Sequence, residues 1–194
     1  RPTGDDLTVV CRADGWLGEA RRSGSEQPFD TPIHHPQFDG LFEFWTSPDG
    51  LTCYYSKVIT LNGDAQRLIF QAVRASEDAP WQTISRLDSI HADFPLSIDT
   101  EPALTSDGLL LIWDSNRAGP RELYQATRSE PYAPFSDIRT LDELNAVDAS
   151  VPWLAADGLT VYFTIFEYVE GSAYGRLYRA SRPGLDEPFG DFTP

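Results

Sequence analysis

Apolar runs of five residues recur along the chain, each directly after a short polar turn. They occupy positions 51–55, 109–113 and 159–163, and they are rich in β-branched and aromatic residues. Such residues are typical of pleated strands, and consecutive apolar positions indicate strands that are covered on both faces. No segment sustains a 3.6-residue period, so helices are not expected. The pattern predicts an all-β protein.

The chain also repeats itself at a spacing of just over fifty residues. Four similar segments contain alanines that lie 52, 54 and 54 residues apart, namely Ala20, Ala72, Ala126 and Ala180. A proline-aromatic pair begins eight residues after each alanine, as Pro28-Phe29, Pro80-Trp81, Pro134-Phe135 and Pro188-Phe189. Self-similarity at such a period is the signature of a repeat architecture.

An aspartate-glycine pair stands before each of the three apolar runs. The pairs are Asp49-Gly50, Asp107-Gly108 and Asp157-Gly158, whereas the first unit has Asp6 in place of the glycine. Glycine accepts the positive φ of a tight primed hairpin turn, and a turn aspartate accepts local backbone hydrogen bonds. We therefore interpret these residues as structural turns and not as a catalytic set.

Each unit is predicted to contain four antiparallel strands. One precedes the turn, one follows it, the alanine segment forms a third, and the segment after the proline-aromatic pair forms an outer fourth. Four strands per unit with both faces covered predict a β-propeller blade, whereas the competing β-sandwich does not repeat its turns at a fixed period. The chain is then one domain, 1–194, with blade units of about 1–38, 39–94, 95–146 and 147–194.

The first unit is predicted to lack its innermost strand, because only six residues precede Leu7. Three arrangements remain open: a part of a longer propeller, a ring completed by a second copy, and a closed four-bladed ring. The first two would leave apolar blade faces that a partner fills.

The best-preserved copy spans residues 102–128 and carries a family resemblance. It reads PALTSDGLLLIW, then SNRAG, then LYQATR. This order resembles the WD-like propeller repeat of TolB-type proteins, over most of the chain. The resemblance implies a bacterial propeller in the periplasm, at the cell surface or secreted, which serves as an interaction module and sometimes accompanies an enzymatic domain.

Charge and hydropathy exclude two classes of partner. The formal net charge is −15, from 30 acidic and 15 basic side chains. Such a field repels phosphate backbones, so no nucleic acid partner is expected. No run of about 18 apolar residues occurs, so no membrane insertion is expected. The chain opens on polar residues and contains no methionine, which favours a mature, trimmed or excised polypeptide.

Carboxylates gather ahead of the predicted innermost strands. They are Asp39, Glu43, Asp99, Glu101 and Asp148. Because innermost strands line the channel of a propeller, these groups could bind a cation, a sugar or a basic peptide. The alternative interpretation is solvated loop charge.

Three histidines are placed by the repeat in loops between an outer strand and the next unit: His34, His35 and His91. With a carboxylate they could ligate a metal ion. His34 and His35 are adjacent, however, and no spaced ligand motif occurs. No metal or other cofactor is predicted.

The repeat also predicts the environments of two tryptophans and two cysteines. Trp45 and Trp153 share one position of the first strand, which predicts inter-blade core in preference to a sugar-stacking surface. Cys11 and Cys53 lie on the same face of equivalent strands and cannot reach each other, which predicts two free, buried thiols.

These observations favour a non-catalytic propeller that binds a protein or cell-envelope component, or associates with itself. The alternative is a propeller glycoside hydrolase or polysaccharide lyase with Glu43 and Glu101 as acid and as base or nucleophile. A third possibility is the propeller part of a larger enzyme.

Overall fold

The computed structural model describes residues 7–13, 16–91 and 96–194. Its strands are β1 (Thr8–Ala13), β2 (Trp16–Arg21), β3 (Ile33–His34), β4 (Leu41–Thr46), β5 (Thr52–Leu61), β6 (Asp64–Val73), β7 (Gln82–Arg86), β8 (Asp99–Leu104), β9 (Leu110–Ser115), β10 (Glu122–Thr127), β11 (Ser136–Thr140), β12 (Ala149–Leu154), β13 (Thr160–Val169), β14 (Ser172–Ser181) and β15 (Gly190–Thr193). A 3₁₀ turn at Pro36–Phe38 and one short helix, α1 (Asp142–Asn145), join them.

The strands form four antiparallel sheets, in which strands that are consecutive in sequence pair with each other. Blade 1 is β1–β3, blade 2 is β4–β7, blade 3 is β8–β11 and blade 4 is β12–β15. The innermost strand β8 contacts β4 on one side and β12 on the other. This is the predicted all-β propeller, with almost no helix.

Blade 1 has three strands in the described part of the chain. Its β1 pairs with β2 as the second strand of each other blade pairs with the third, and the prediction about the innermost strand of this unit concerns residues outside the described part of the chain. The degraded first turn, at residues 3–6, lies outside the described residues.

The apolar core consists of three clusters, one between each pair of successive blades. Along β5, Cys53 and Tyr55 face blade 1, whereas Tyr54 between them faces blade 3. Successive side chains of a strand point to opposite faces, and both faces of β5 are covered. This explains why the strand is apolar at every position, as the pattern predicted.

The aspartate-glycine loops are wider than the tight primed turns that we expected. Gly50 N donates to Ser47 O at 2.9 Å, so the glycine closes the turn and does not lie at its centre. Ser47 N donates to Thr52 O at 2.9 Å across a five-residue loop. Gly50, Gly108 and Gly158 do adopt positive φ, at 67°, 69° and 74°. The dipeptide therefore identified the left-handed residue but not the loop length.

Both cysteines are free, as predicted, but only Cys53 is buried. Cys11 is half-buried, because the face of β1 that carries it has no preceding blade among the described residues. Within those residues, no helix has the length and apolar character to cross a membrane.

Candidate functional site

The turn aspartates hold the hairpin loops together. The Oδ1 atoms of Asp49, Asp107 and Asp157 accept the backbone N–H two residues ahead, at 2.9, 3.0 and 3.0 Å. A side chain that replaces a backbone acceptor in this way stabilises the turn. These hydrogen bonds account for the aspartates as residues that stabilise the turns.

A repeated arginine, which the sequence interpretation did not single out, links each blade to the one before it. Arg74, Arg128 and Arg182 each donate from Nε to the carbonyl of the turn glycine, at 2.7, 2.7 and 2.9 Å. Each guanidinium also lies over the aromatic ring of its proline-aromatic pair, 4.2 to 4.5 Å from the centroid. The constant six-residue offset between arginine and proline was the signal that could have identified it.

Three of the five candidate carboxylates lie within the innermost strands and not ahead of them, which corrects the prediction. Glu43 is in β4, and Asp99 and Glu101 are in β8. Both strands begin earlier than expected, and each contains a β-bulge, between Leu41 and Phe44 and between Thr100 and Ala103. A bulge redirects side chains and is common beside functional sites.

Asp99 is completely buried and fully bonded. Its carboxylate lies 2.7 Å from His91 Nδ1 and accepts from Trp113 Nε1 at 3.0 Å and from Arg117 Nη2 at 3.2 Å. Burial alone would raise the pKa of Asp99, but the contacts with His91, Ser115 and Trp113 lower it. This carboxylate joins β8 and β9 to the preceding loop and offers nothing to a ligand.

The remaining two candidates, Asp39 and Asp148, lie in two different places. Asp39 is exposed, and its Oδ1 is 2.6 Å from His34 Nε2. Asp148 lines a cavity of about 140 Å³ together with Asp114, Arg121 and Asn145. The five candidates are therefore divided among several environments.

Glu43 and Glu101 occupy the same repeat position on adjacent innermost strands. Glu43 Oε2 accepts from Ser56 Oγ at 2.5 Å and from the Thr100 hydroxyl. Thr100 precedes Glu101, so blade 3 itself holds the carboxylate of blade 2. In blade 4 the position holds Val151.

Glu101 is a buried carboxyl group with a raised pKa. Burial, reinforced by the nearby carboxylate of Asp114, raises the pKa of Glu101 to about 7. Its Oε2 atom is buried without a hydrogen-bond partner, and Arg121 Nη2 lies 3.7 Å from Oε1. A carboxyl group that titrates near neutrality has the property expected of a general acid.

The histidines are not brought together. His34 ends strand β3 and is not in a loop, which corrects the prediction; His35 follows it, and His91 is bound to Asp99 in another blade. Burial lowers the pKa of His35. Across residues 7–13, 16–91 and 96–194, no group of three or more His, Cys, Asp or Glu side chains is placed to hold a metal ion.

The tryptophan position behaves differently in the two blades that share it. Trp45 is 6% exposed between blades 2 and 3, as predicted, but Trp153 is 42% exposed. The prediction of core is wrong for Trp153 because this side of blade 4 is not covered. Trp153 packs instead on Tyr162, with ring centroids 5.3 Å apart.

Trp153 belongs to a continuous uncovered surface, which we call the open face of blade 4. The alternation of β13 and β14 places Tyr162 beside Arg179, Thr164 beside Leu177 and Phe166 beside Gly175. The open face comprises Trp153, Tyr162, Phe166, Tyr168, Leu177 and Arg179, all exposed except the half-buried Tyr162.

A second unpredicted feature is a cavity of about 260 Å³ between blades 2 and 3. Trp45, Tyr54, Arg128 and Tyr132 are among its lining residues. Tyr132 adopts φ 70° and is 62% exposed. The other units have Glu26, Asp78 and Asp186 at its loop position, and this contrast was readable in the sequence.

No protein-family model and no curated protein matches the sequence. Among solved structures, the chain is similar to TolB from Acinetobacter baumannii, with TM-score 0.50 and 16% identity over 93% of this chain and 39% of that one. It is also similar to a putative TolB from Agrobacterium tumefaciens, with TM-score 0.51 and 11% identity over 97% of this chain and 78% of that one.

The fold is a β-propeller, similar to the folds of these two proteins. The chain spans about two fifths of the length of the Acinetobacter protein. At these identities the likeness concerns the fold, and function has to be argued from the residues of this chain.

Proposed function

We propose that the chain is a non-catalytic propeller module that binds a partner protein on the open face of blade 4. One repeat position carries this proposal. Leu17, Ile69 and Leu123 are 1%, 0% and 0% exposed, each beneath the following blade, whereas Leu177 at the same position is 64% exposed. The surface that three blades bury is available on the fourth.

The composition of the open face supports the same conclusion. Contiguous apolar surface is uncommon on isolated proteins and marks interaction sites. Tryptophan, tyrosine and arginine, the residues that dominate binding energy at protein interfaces, are all present as Trp153, Tyr168 and Arg179. Phe166 and Leu177 extend the apolar area between them.

We further propose that the module works in the periplasm, at the cell surface or in secreted form, and that it belongs to a larger assembly. The TolB-like fold and the WD-like repeat support this location. The short coverage of the Acinetobacter TolB is compatible with a module of a longer protein.

The test is binding by a face variant. Leu177→Asp should abolish capture of the partner and weaken binding of the purified partner at least tenfold, since a charge would be buried at the centre of the contact. Ile138→Asp is the matched control, because Ile138 is also exposed but lies on the outer strand of blade 3. Equal binding by both variants would contradict the proposal.

A second candidate function rests on Glu101. A carboxyl group with a pKa of about 7, one blade away from the equivalent Glu43, is compatible with a carbohydrate-active enzyme. Release of reducing ends or unsaturated sugars from a polysaccharide panel, lost in both Glu101→Gln and Glu43→Gln, would support it. Inactivity of the wild-type protein on every polymer would count against it.

A further inference from the structure

The position two residues after Leu177 supplies the acceptor for the repeated arginine in two of the three inter-blade contacts. In blade 1 it holds Glu19, whose Oε2 accepts from Arg74 Nη1 of blade 2 at 2.8 Å. In blade 3 it holds Gln125, whose Oε1 accepts from Arg182 Nη1 of blade 4 at 2.8 Å. In both contacts the earlier blade supplies an acceptor and the later blade supplies the repeated arginine.

The contact between blades 2 and 3 varies this arrangement without reversing it. Gln71 holds the position, but Arg128 donates to Tyr54 Oη at 3.0 Å, and the buried Gln71 Nε2 has no partner in the described part of the chain. Tyr54 and Gln71 are cross-strand neighbours, so the arginine still approaches the same pair of residues.

Blade 4 carries a hydrogen-bond donor at this position and not an acceptor. Its residue at this position is Arg179, which is exposed and lies beside Tyr162 across the strands. A guanidinium donates five N–H groups and accepts nothing. A covering sheet with the arginine of the repeat would place two cations together as it excluded water, which is unfavourable.

We infer that the sheet which covers the open face belongs to a different polypeptide and presents a carboxylate to Arg179. This inference rests on the proposed function and names the chemistry of the partner. The planar guanidinium binds a carboxylate through two parallel hydrogen bonds, which fixes orientation as well as adding affinity.

The charge of the molecule makes this contact selective. With a net charge of −15, the chain repels acidic surfaces in general, so Arg179 is a local exception within an apolar face. A second copy of the chain is a poor occupant, because the arginine at the repeat position of its blade 1 is Arg22. Arg22 would meet Arg179 if blade 1 covered blade 4 in the register of the repeat.

The experiment is site-specific photo-crosslinking in an extract of the source cells, followed by titration of the purified partner. Leu177 is replaced by p-benzoylphenylalanine, and the crosslinked peptide is sequenced. We expect a peptide from another polypeptide with Asp or Glu near the crosslink. Arg179→Glu should lower both the crosslink yield and the affinity of the purified partner at least tenfold, whereas Arg179→Lys should lower the affinity less, because the positive charge remains while the two parallel hydrogen bonds are lost.

Arg176→Glu is the matched control, because it makes the same change of net charge on the opposite face of β14. It should leave yield and affinity unchanged. A crosslink at position 177 to another protein that is insensitive to Arg179→Glu would overturn the carboxylate inference and leave the proposed function standing.

Two other outcomes are also decisive. A crosslinked peptide from a second copy of this chain would overturn the assignment to a different polypeptide. A yield at position 177 no higher than with the crosslinker at Ile138 would overturn both this inference and the proposed function, since the open face would then be unoccupied.

Discussion

A single buried arginine in each of blades 2 to 4 connects three parts of the structure. Arg74 joins its own hairpin turn, the ring of Trp81 and the carboxylate of Glu19 in the preceding blade. Arg74 and Glu19 are almost fully buried, and their mutual attraction offsets the cost of removing both charges from water. The arginine therefore has a structural role and connects neighbouring blades.

Removal of Arg74 should lower the free energy of unfolding. Arg74→Ala leaves the buried Glu19 Oε2 without its arginine, although Arg21 still bonds Glu19 Oε1, and we expect a loss of about 3 kcal/mol in the free energy of unfolding. Arg176→Ala, which removes an exposed arginine paired with Glu167, should cost about 0.5 kcal/mol or less. Urea denaturation followed by tryptophan fluorescence measures both, and equal losses would refute the role of Arg74.

Glu101 should make stability depend on pH. Its pKa is raised from 4.5 to about 7 in the folded state. Between these values the folded protein binds more protons than the unfolded chain, so the free energy of unfolding falls as pH rises. The contribution is complete below pH 4.5 and is lost as pH passes about 7.

Glu101→Gln should remove this dependence. We expect the variant to gain about 2 to 3 kcal/mol relative to wild type when pH changes from 4 to 8. Glu26→Gln, at an exposed loop position, is the control and should keep the wild-type profile. Denaturation curves at several pH values between 4 and 8 test the prediction, and parallel profiles for wild type and Glu101→Gln would contradict it.

Among the elements, the hairpin loops depend on glycine for two separable reasons. Gly158 has φ 74°, and an added Cβ would lie 2.8 Å from Leu185 Cδ2 and 3.0 Å from Thr105 Cγ2. Gly63, at the tip of the β5–β6 hairpin, has φ 93° and no heavy atom within 4 Å of such a Cβ. One glycine is required for conformation and space, the other for conformation alone.

Alanine substitution should separate these reasons. Gly63→Ala should cost about 1 kcal/mol through backbone strain. Gly158→Ala should cost about 1 kcal/mol more, since overpacking adds to the same strain. Thermal unfolding of the two variants measures the difference, and an equal loss would mean that Leu185 moves aside freely.

The repeat allowed the elements to be predicted, because a strand that is buried on both faces has to be apolar throughout. The same logic predicted Cys53 and Trp45 as core residues. It failed for Trp153 and Cys11, because burial of a blade face depends on a neighbouring blade and not on the strand that carries it. The bulges beside Glu43 and Glu101 were also missed, since no local residue pattern distinguishes a bulged strand from a regular one.

For the whole molecule, the repeat provides a pair of identical residues in opposite environments. Leu123 is enclosed between blades 3 and 4, and Leu177 is exposed at the same position of blade 4. Leu123→Ala should cost about 2 to 5 kcal/mol in the free energy of unfolding, whereas Leu177→Ala should cost about 0.5 kcal/mol or less. Comparable losses in chemical denaturation would show that the isolated chain already covers its open face.

The three separate core clusters make this propeller energetically similar to a one-dimensional array. In such an array, stability is the sum of terms for each unit and for each nearest-neighbour contact. Blades 2 and 3 each contribute to two clusters, whereas blades 1 and 4 each contribute to one. Local unfolding should therefore begin at blades 1 and 4. A partner bound to the open face would give blade 4 a second neighbour. Its binding would change the hydrogen-exchange rates of the backbone amides of β13 and β14.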